Sequence, residues 1–91
     1  MKYALKGCGL HMDSILLIED DHVLTKELTF FLEQNNFSVE IAESGKDAIR
    51  LINANCYDLC LLDTGLPDCS GVELCKRIRL HYFNPVIMLT A

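Results

Sequence analysis

Acidic side chains follow two short apolar runs of the sequence. Glu19 and Asp20 come directly after residues 15–18, and Asp63 comes directly after residues 59–62. If both runs are neighbouring parallel strands, these carboxylates meet at the edge of the sheet where the strands end. Open α/β sheets bind their ligands at that edge. A group of carboxylates in this position predicts coordination of a cation.

A hydroxyl group is predicted at the same edge, because Thr90 follows a further apolar run at residues 86–89. An acid after a strand is often only the N-cap of the next helix, and that interpretation is favoured for Asp21. For each of the two acids before it, taken alone, the two interpretations are evenly matched. Their joint occurrence with Asp63 and Thr90 at the appropriate strand ends favours a functional site.

The predicted carboxylates repel one another and need compensation. Two unit charges about 4 Å apart repel by roughly 4 kcal/mol at an effective dielectric constant of about 20. A divalent cation supplies the compensation, and oxygen ligands suit Mg²⁺ better than zinc because no histidine or cysteine is placed to join them. The five cysteines contain no C-x-x-C pair, so a zinc site is not indicated elsewhere either.

Four segments have the hydrophobic pattern of strands. Residues 15–18, 59–62 and 86–89 are apolar without alternation, which is typical of strands buried on both faces of a parallel sheet. Residues 37–41 alternate between apolar and polar side chains, as expected of a strand with one wetter face.

Segments with helical spacing lie between these strands. Their apolar residues recur at intervals of three and four, which places them on one face of a helix. The predicted stripes are Leu24, Leu28, Phe31 and Leu32 in the first helix, Ala48, Leu51 and Ile52 in the second, and Leu74, Cys75, Ile78 and Tyr82 in the third. Strands alternating with helices predict right-handed β-α-β units in one parallel sheet with helices on both faces, so the fold class is α/β.

The ends of the helices have their own signals. Asn35 and Asn36 are expected to end the first helix. Ser44 followed by Asp47 resembles a capping arrangement at the start of the second helix, and the third helix is expected to begin near Ser70 or Gly71.

The composition limits the class of protein and its partners. A chain of 91 residues has room for one domain, and its 51% hydrophobic and 23% charged residues fit a globular one. The net charge of −5 repels phosphate backbones and anionic lipids. We therefore expect no direct contact of this segment with nucleic acid or with a membrane.

Three stretches of the sequence resemble the response regulator receivers of bacterial two-component systems. They read ILLIEDD at residues 15–21, YDLCLLDTGLPDCSG at residues 57–71 and PVIMLTA at residues 85–91. The resemblance covers residues 14–91 and implies a flavodoxin-like, CheY-like parallel sheet of four strands in the order 2-1-3-4 with three flanking helices. Residues 1–13 are then a leader or an added segment.

The resemblance implies a role for each residue of the predicted site. Asp63 is the phosphoacceptor, which takes a phosphoryl group from a phosphohistidine of a sensor histidine kinase in the presence of Mg²⁺. The implied ligands of this cofactor are Asp63, Asp20, Glu19 through water, and the backbone carbonyl of Gly65. The implied phosphoryl contacts are the Thr90 switch hydroxyl and the backbone amides of Thr64 and Ala91.

By the same resemblance the chain is a signalling switch rather than an enzyme, acts in the cytoplasm and regulates an output, which is expected to be transcription. The sequence GLPD at residues 65–68, with Ile78 and Arg79 closing the third helix, is similar to the subfamily whose receivers precede a winged-helix DNA-binding domain.

The sequence departs from the family pattern after the fourth strand. Complete receivers have five strands and five helices, and the fifth strand brings a lysine to the phosphoryl group. No residue here matches that lysine, so residues 14–91 are interpreted as a truncated receiver in which phosphorylation is weak or absent. The fourth strand is then an exposed apolar edge, from which we expect a homodimer or a domain-swapped oligomer.

Other functions remain as alternatives. The first is a phosphorylation-incompetent receiver fragment that acts as an interaction or dimerisation module. The second is a phosphatase with an aspartyl nucleophile. Such enzymes usually carry a second acid two positions after the nucleophile, and Gly65 at that position argues against this function. Flavin binding needs a Ser/Thr/Gly-rich turn after the first strand, and this chain has acids there.

Overall fold

The computed structural model describes residues 13–89, which form alternating strands and helices. In chain order these are β1 (Ser14–Ile18), α1 (His22–Gln34), β2 (Ser38–Ala42), α2 (Gly45–Ala54), β3 (Leu59–Asp63), α3 (Gly71–Ile78) and β4 (Val86–Leu89). The predicted α/β class and the alternation of strands and helices are confirmed.

The four strands described form one parallel sheet in the order β2-β1-β3-β4, as predicted. β1 therefore lies between β2 and β3, and its last four residues, 15–18, are almost completely excluded from solvent. The register aligns Ile18 with Ala42 on one side and with Leu62 on the other, so the strands end close together. We call this edge the carboxyl end of the sheet and the opposite edge the amino end.

The larger core lies on the face of the sheet that α2 and α3 cover. Leu16 and Ile18 of β1 pack there against Leu51 of α2 and Leu74 of α3. The other face carries α1, in which Thr25 is the buried residue. Leu24, Leu28 and Leu32 of the predicted α1 stripe are half-buried. The fourth member was predicted wrongly: Phe31 is 62% exposed, because it lies at the margin of the helix surface that meets the sheet.

Local hydrogen bonds explain where the helices begin. The Asp21 carboxylate accepts from the backbone N–H groups of Val23 and Leu24 and caps α1, as predicted. The Ser44 hydroxyl accepts from the Asp47 N–H at 3.1 Å and caps α2. α3 begins in the same way, with the Ser70 hydroxyl as the acceptor.

The helix ends follow the sequence less closely. Asn35 is the C-cap of α1, and Asn36 adopts φ 70°, a left-handed conformation that reverses the chain toward β2. α3 ends at Ile78, earlier than its predicted stripe. Tyr82 is nevertheless 7% exposed, because the turn after α3 directs it back into the core.

None of the helices within residues 13–89 has the length and apolar character needed to span a membrane.

Candidate functional site

Three acidic side chains converge at the carboxyl end of the sheet. Glu19 and Asp20 follow the last residue of β1, and Asp63 is the last residue of β3. One carboxylate oxygen of each lies within 4.8 Å of the other two. We call these three residues the acid cluster. The predicted convergence of acids from the first and third strands is therefore present in the structure.

The members of the acid cluster differ in exposure. Glu19 is only 4% exposed, Asp63 is half-buried and Asp20 is exposed. The cluster thus runs from a buried acid to an acid in water, so that a ligand can approach from the solvent side.

Backbone hydrogen bonds hold Glu19 at this place. Its N–H donates to the Ala42 carbonyl of β2 at 2.9 Å, which continues the pairing of β1 beyond the strand. Its carboxylate accepts from the Asp21 N–H at 3.1 Å. One hydrogen bond therefore holds the backbone of Glu19 and another holds its carboxylate before any ligand binds.

The environment of Glu19 disfavours its negative charge. Burial is the main cause that raises the pKa of Glu19 above its usual value, and the Asp21 N–H partly offsets the rise. The negative charges of Asp63 and Asp20 raise the pKa further. A cation bound among the three carboxylates would remove this electrostatic cost.

The chemistry of the donors fits Mg²⁺. All three members of the acid cluster offer carboxylate oxygens, and the cluster includes neither histidine nor cysteine. Hard oxygen donors with room left for water suit Mg²⁺, whereas zinc favours nitrogen and sulfur ligands.

The loop between β3 and α3, residues 64–70, borders the acid cluster. The Gly71 N–H donates to the Thr64 carbonyl at 2.9 Å, and Gly65 forms an isolated bridge with Ser70. A Cβ atom on Gly71 would lie 2.7 Å from the Asp63 carbonyl oxygen and from Thr64 Cα, so only glycine fits there. Gly65, the predicted carbonyl ligand, has open space around its Cα and is exposed.

Asp68 was missed as a site-related residue, because the sequence indicated it only as part of the GLPD stretch that resembles a subfamily. Its carboxylate accepts from the N–H groups of Gly45 and Lys46 at 2.8 and 3.0 Å. These two hydrogen bonds are the main cause that lowers the pKa of Asp68. The partners lie 22 and 23 residues away in the sequence, so no local pattern could have identified them.

The remaining predicted site residues are only partly within the described chain. Thr64 is half-buried at the start of the loop, next to Asp63. Thr90 and Ala91 lie outside the described residues, and their predicted roles stay predictions.

Comparison with protein families identifies relatives of this fold and site. The family model described as the response regulator receiver domain matches residues 15–91. Response regulator ArlR of Staphylococcus saprophyticus is 39% identical over 80 residues, which make up 88% of this chain and 36% of ArlR. Transcriptional regulatory protein ResD of Bacillus subtilis is 41% identical over 78 residues, or 85% of this chain and 32% of ResD. The chain thus spans about a third of these curated relatives.

Solved structures show the same architecture. The non-phosphorylated HemR receiver domain of Leptospira biflexa superposes with a TM-score of 0.81 at 39% identity, covering 87% of this chain and 64% of that one. Response regulator protein TrrA of Thermotoga maritima, solved in complex with Mg²⁺-BeF, gives a TM-score of 0.82 at 31% identity, with 88% and 70% of the two chains covered. The resemblance drawn from the three sequence stretches is confirmed.

Proposed function

The chain belongs to the response regulator receiver family, and from that membership we propose that Asp63 accepts a phosphoryl group while the acid cluster binds Mg²⁺. The observation that carries the proposal is the approach of three carboxylate oxygens to within 4.8 Å at the ends of β1 and β3. A fold keeps such repulsion where a cation or a charged substrate compensates it.

The proposed reaction is a transfer from a phosphohistidine of a sensor histidine kinase. The phosphorus–nitrogen bond of the donor breaks, a bond forms between phosphorus and a carboxylate oxygen of Asp63, and the histidine nitrogen keeps the bonding electron pair. Bound Mg²⁺ would supply neutralisation of charge on the phosphoryl oxygens and alignment of the reacting groups. Asp63 contributes the nucleophilic carboxyl oxygen from a strand end whose backbone packs closely against Gly71.

The other residues of the proposed site hold Mg²⁺ or contact the phosphoryl group. Glu19 and Asp20 complete the carboxylate ligands together with Asp63, Glu19 through water, and the Gly65 carbonyl is the proposed backbone ligand. The Thr64 amide is a proposed donor to the phosphoryl oxygens. Thr90 and Ala91 would add a switch hydroxyl and a second amide, as the family resemblance implies.

The proposed role is that of a signalling switch and not of an enzyme that turns over a substrate. Two relatives, ResD and CreB of Escherichia coli, carry the name transcriptional regulatory protein, which supports transcription through a winged-helix domain as the output. The net charge of −5 argues against nucleic-acid binding by this segment itself. Because the phosphohistidine donor is made from ATP, we place the exchange in the cytoplasm.

Phosphorylation by a small-molecule donor tests the assignment of Asp63. The chain is incubated with phosphoramidate and Mg²⁺, and intact mass is measured before and after brief treatment with base. We expect one base-labile phosphoryl adduct, formed at low yield because no residue here matches the fifth-strand lysine. The adduct should be absent in Asp63→Asn and absent when EDTA replaces Mg²⁺. Asp21→Asn is the matched control, since it removes a neighbouring charge, keeps the α1 cap and should keep the adduct. An adduct that survives in Asp63→Asn would reject the proposal.

A second candidate function, self-association through β4, rests on the difference between the two edges of the sheet. Within residues 13–89, β4 is hydrogen-bonded to β3 on one side only, carries no charge and leaves Ile87 51% exposed. β2, at the other edge, presents Ser38 and Glu40 to solvent. Edge strands that remain unpaired usually carry charged residues, which prevent pairing with another chain. Because β4 has none, it is the edge suited to pairing with a second copy.

Light scattering coupled to size-exclusion chromatography tests this candidate. We expect a dimer of the 91-residue chain that Ile87→Lys converts to a monomer, whereas Ser38→Lys at the other edge leaves it dimeric. A monomer of the unmodified chain at micromolar concentration would exclude β4 as a dimerisation edge.

A further inference from the structure

The first turn of α2 is capped by two residues from different parts of the chain. Ser44, immediately before the helix, accepts only from the N–H of Asp47. The N–H groups of Gly45 and Lys46 instead donate to the carboxylate of Asp68. Since the first N–H groups of a helix have no partner within it, Asp68 completes a cap that Ser44 leaves unfinished.

The same carboxylate also fixes the β3–α3 loop. Asp68 is a central residue of this loop, and its bonds to α2 span 22 and 23 residues. The next residue, Cys69, packs its sulfur directly against Gly45, where an added Cβ would collide with it. The loop is therefore attached to α2 at its middle, while the hydrogen bond from Gly71 to Thr64 closes its base.

The attachment matters because Gly65 lies in the same loop. Gly65 has no side chain, the space around its Cα is open, and its backbone is bridged to Ser70 of the same loop. The direction of this carbonyl thus depends on how the rest of the loop is held.

We propose that Asp68 is a positioning residue of the metal site, which joins the β3–α3 loop to the start of α2 and so directs the Gly65 carbonyl toward the acid cluster. This inference rests on the proposed function, because it assumes that the acid cluster binds Mg²⁺. Asp68 itself bonds to α2 and not to the metal. Groups that orient a ligand from behind it commonly change metal affinity by 10–100-fold when they are lost.

Ser44 supplies a matched control for this role. Ser44→Ala and Asp68→Ala both remove part of the cap of α2, but only Asp68→Ala detaches the loop. If Asp68 served only to cap the helix, the two substitutions would affect metal binding equally.

Calorimetric titration with Mg²⁺ compares the variants in the 91-residue chain, with circular dichroism to verify that each is folded. We expect Asp68→Ala to weaken Mg²⁺ binding about tenfold, and Ser44→Ala to change it less than about twofold. Asp68→Asn keeps one oxygen acceptor and should lie between Asp68→Ala and the unmodified chain. Asp47→Asn removes a charge from the same turn without touching the loop, and should match Ser44→Ala.

Hydrogen exchange without metal gives a second measurement. Loosening of the loop should reduce protection of the Gly71 N–H, which donates to the Thr64 carbonyl. We expect that loss in Asp68→Ala and not in Ser44→Ala.

The outcomes separate this inference from the proposed function. An unmodified chain that binds no Mg²⁺ would contradict the proposed function, and with it the metal-site role of Asp68, even if exchange still showed that Asp68 holds the loop. A chain that binds Mg²⁺ equally well with and without Asp68, or that loses as much affinity in Ser44→Ala, would overturn the positioning role alone.

Discussion

The two ends of the sheet differ in whether their polar groups are compensated by other groups of the chain. At the carboxyl end, three carboxylates lie within 4.8 Å of one another, and one of them is buried. At the amino end, the polar groups of the segments before β3 and β4 satisfy each other. The Tyr57 carbonyl accepts from the Tyr82 hydroxyl and the Asn84 amide, and Arg79 donates to the carbonyls of both Tyr82 and Asn84.

This difference separates stability from function within one small domain. These hydrogen bonds, together with the burial of Tyr57 and Tyr82, make the amino end a source of stability. Repulsion among the carboxylates destabilises the carboxyl end, and a bound cation can remove this destabilisation. Such an arrangement is typical of a binding site. Substitutions at the two ends should therefore have effects of different kinds.

Tyr82→Ala should give the largest effect and act on stability alone. Tyr82 is 7% exposed and contacts the core, so its truncation should lower the free energy of unfolding by about 3–5 kcal/mol. Urea denaturation measures this loss. Tyr82→Phe is the milder control, expected to cost about 1 kcal/mol through the lost hydrogen bond. A large change in Mg²⁺ affinity in Tyr82→Phe would show that the two ends are coupled and would break the comparison.

Asp63→Asn should change stability in opposite directions with and without metal. In EDTA it relieves repulsion within the acid cluster and should raise the free energy of unfolding by about 1–2 kcal/mol. At a Mg²⁺ concentration 100 times the dissociation constant, the unmodified chain should gain about 2.7 kcal/mol that the variant lacks. Thermal melts in both buffers measure the reversal. A variant less stable than the unmodified chain in EDTA would mean that repulsion within the acid cluster does not destabilise the metal-free fold.

Glu19 should give a smaller, pH-dependent effect. Because burial raises its pKa in the folded state, the folded chain binds the proton more tightly than the unfolded chain, whose Glu19 titrates near 4.5. The free energy of unfolding should therefore fall as the pH rises from about 4.5 through the folded pKa of Glu19 in metal-free buffer. Glu19→Gln should remove this fall. Denaturation curves across that range that are the same for both chains would contradict the prediction.

Asn36→Gly should have the smallest effect, again at the amino end. Asn36 has φ 70°, which glycine adopts at lower cost than asparagine. We expect a gain of about 0.5 kcal/mol in the free energy of unfolding, with Mg²⁺ affinity unchanged. Asn35→Gly, one residue earlier at φ −99°, is the control and should bring no gain. If metal binding changed as well, the separation between the two ends would again fail.

Much of the fold could be predicted because it depends on local hydrophobic patterns. The apolar runs located the strands, and the acids behind them indicated which edge carries the site. β2 is displaced by one residue from its predicted bounds, Ser38–Ala42 instead of 37–41, because pairing with β1 determines where it begins and ends. Phe31 was misplaced because helical spacing alone does not show how widely a neighbouring sheet covers the helix.

The rest of the site depended on contacts between distant segments. In the sequence Asp68 is only the last residue of the GLPD stretch, and its function as a cap appears only when the β3–α3 loop lies beside α2. The rise in the Glu19 pKa likewise required its burial in the folded chain, since the sequence shows only that three acids are adjacent.

The close packing at Gly71 has a consequence for mutational libraries of this chain. A residue with any side chain at that position would displace the backbone that carries Asp63. Position 71 should therefore be depleted of replacements under selection for folding as well as for signalling, whereas the adjacent Val72, 58% exposed, should accept many. This difference in tolerated replacements between positions 71 and 72 would show, from sequencing counts alone, that the backbone of the proposed phosphoacceptor packs against Gly71.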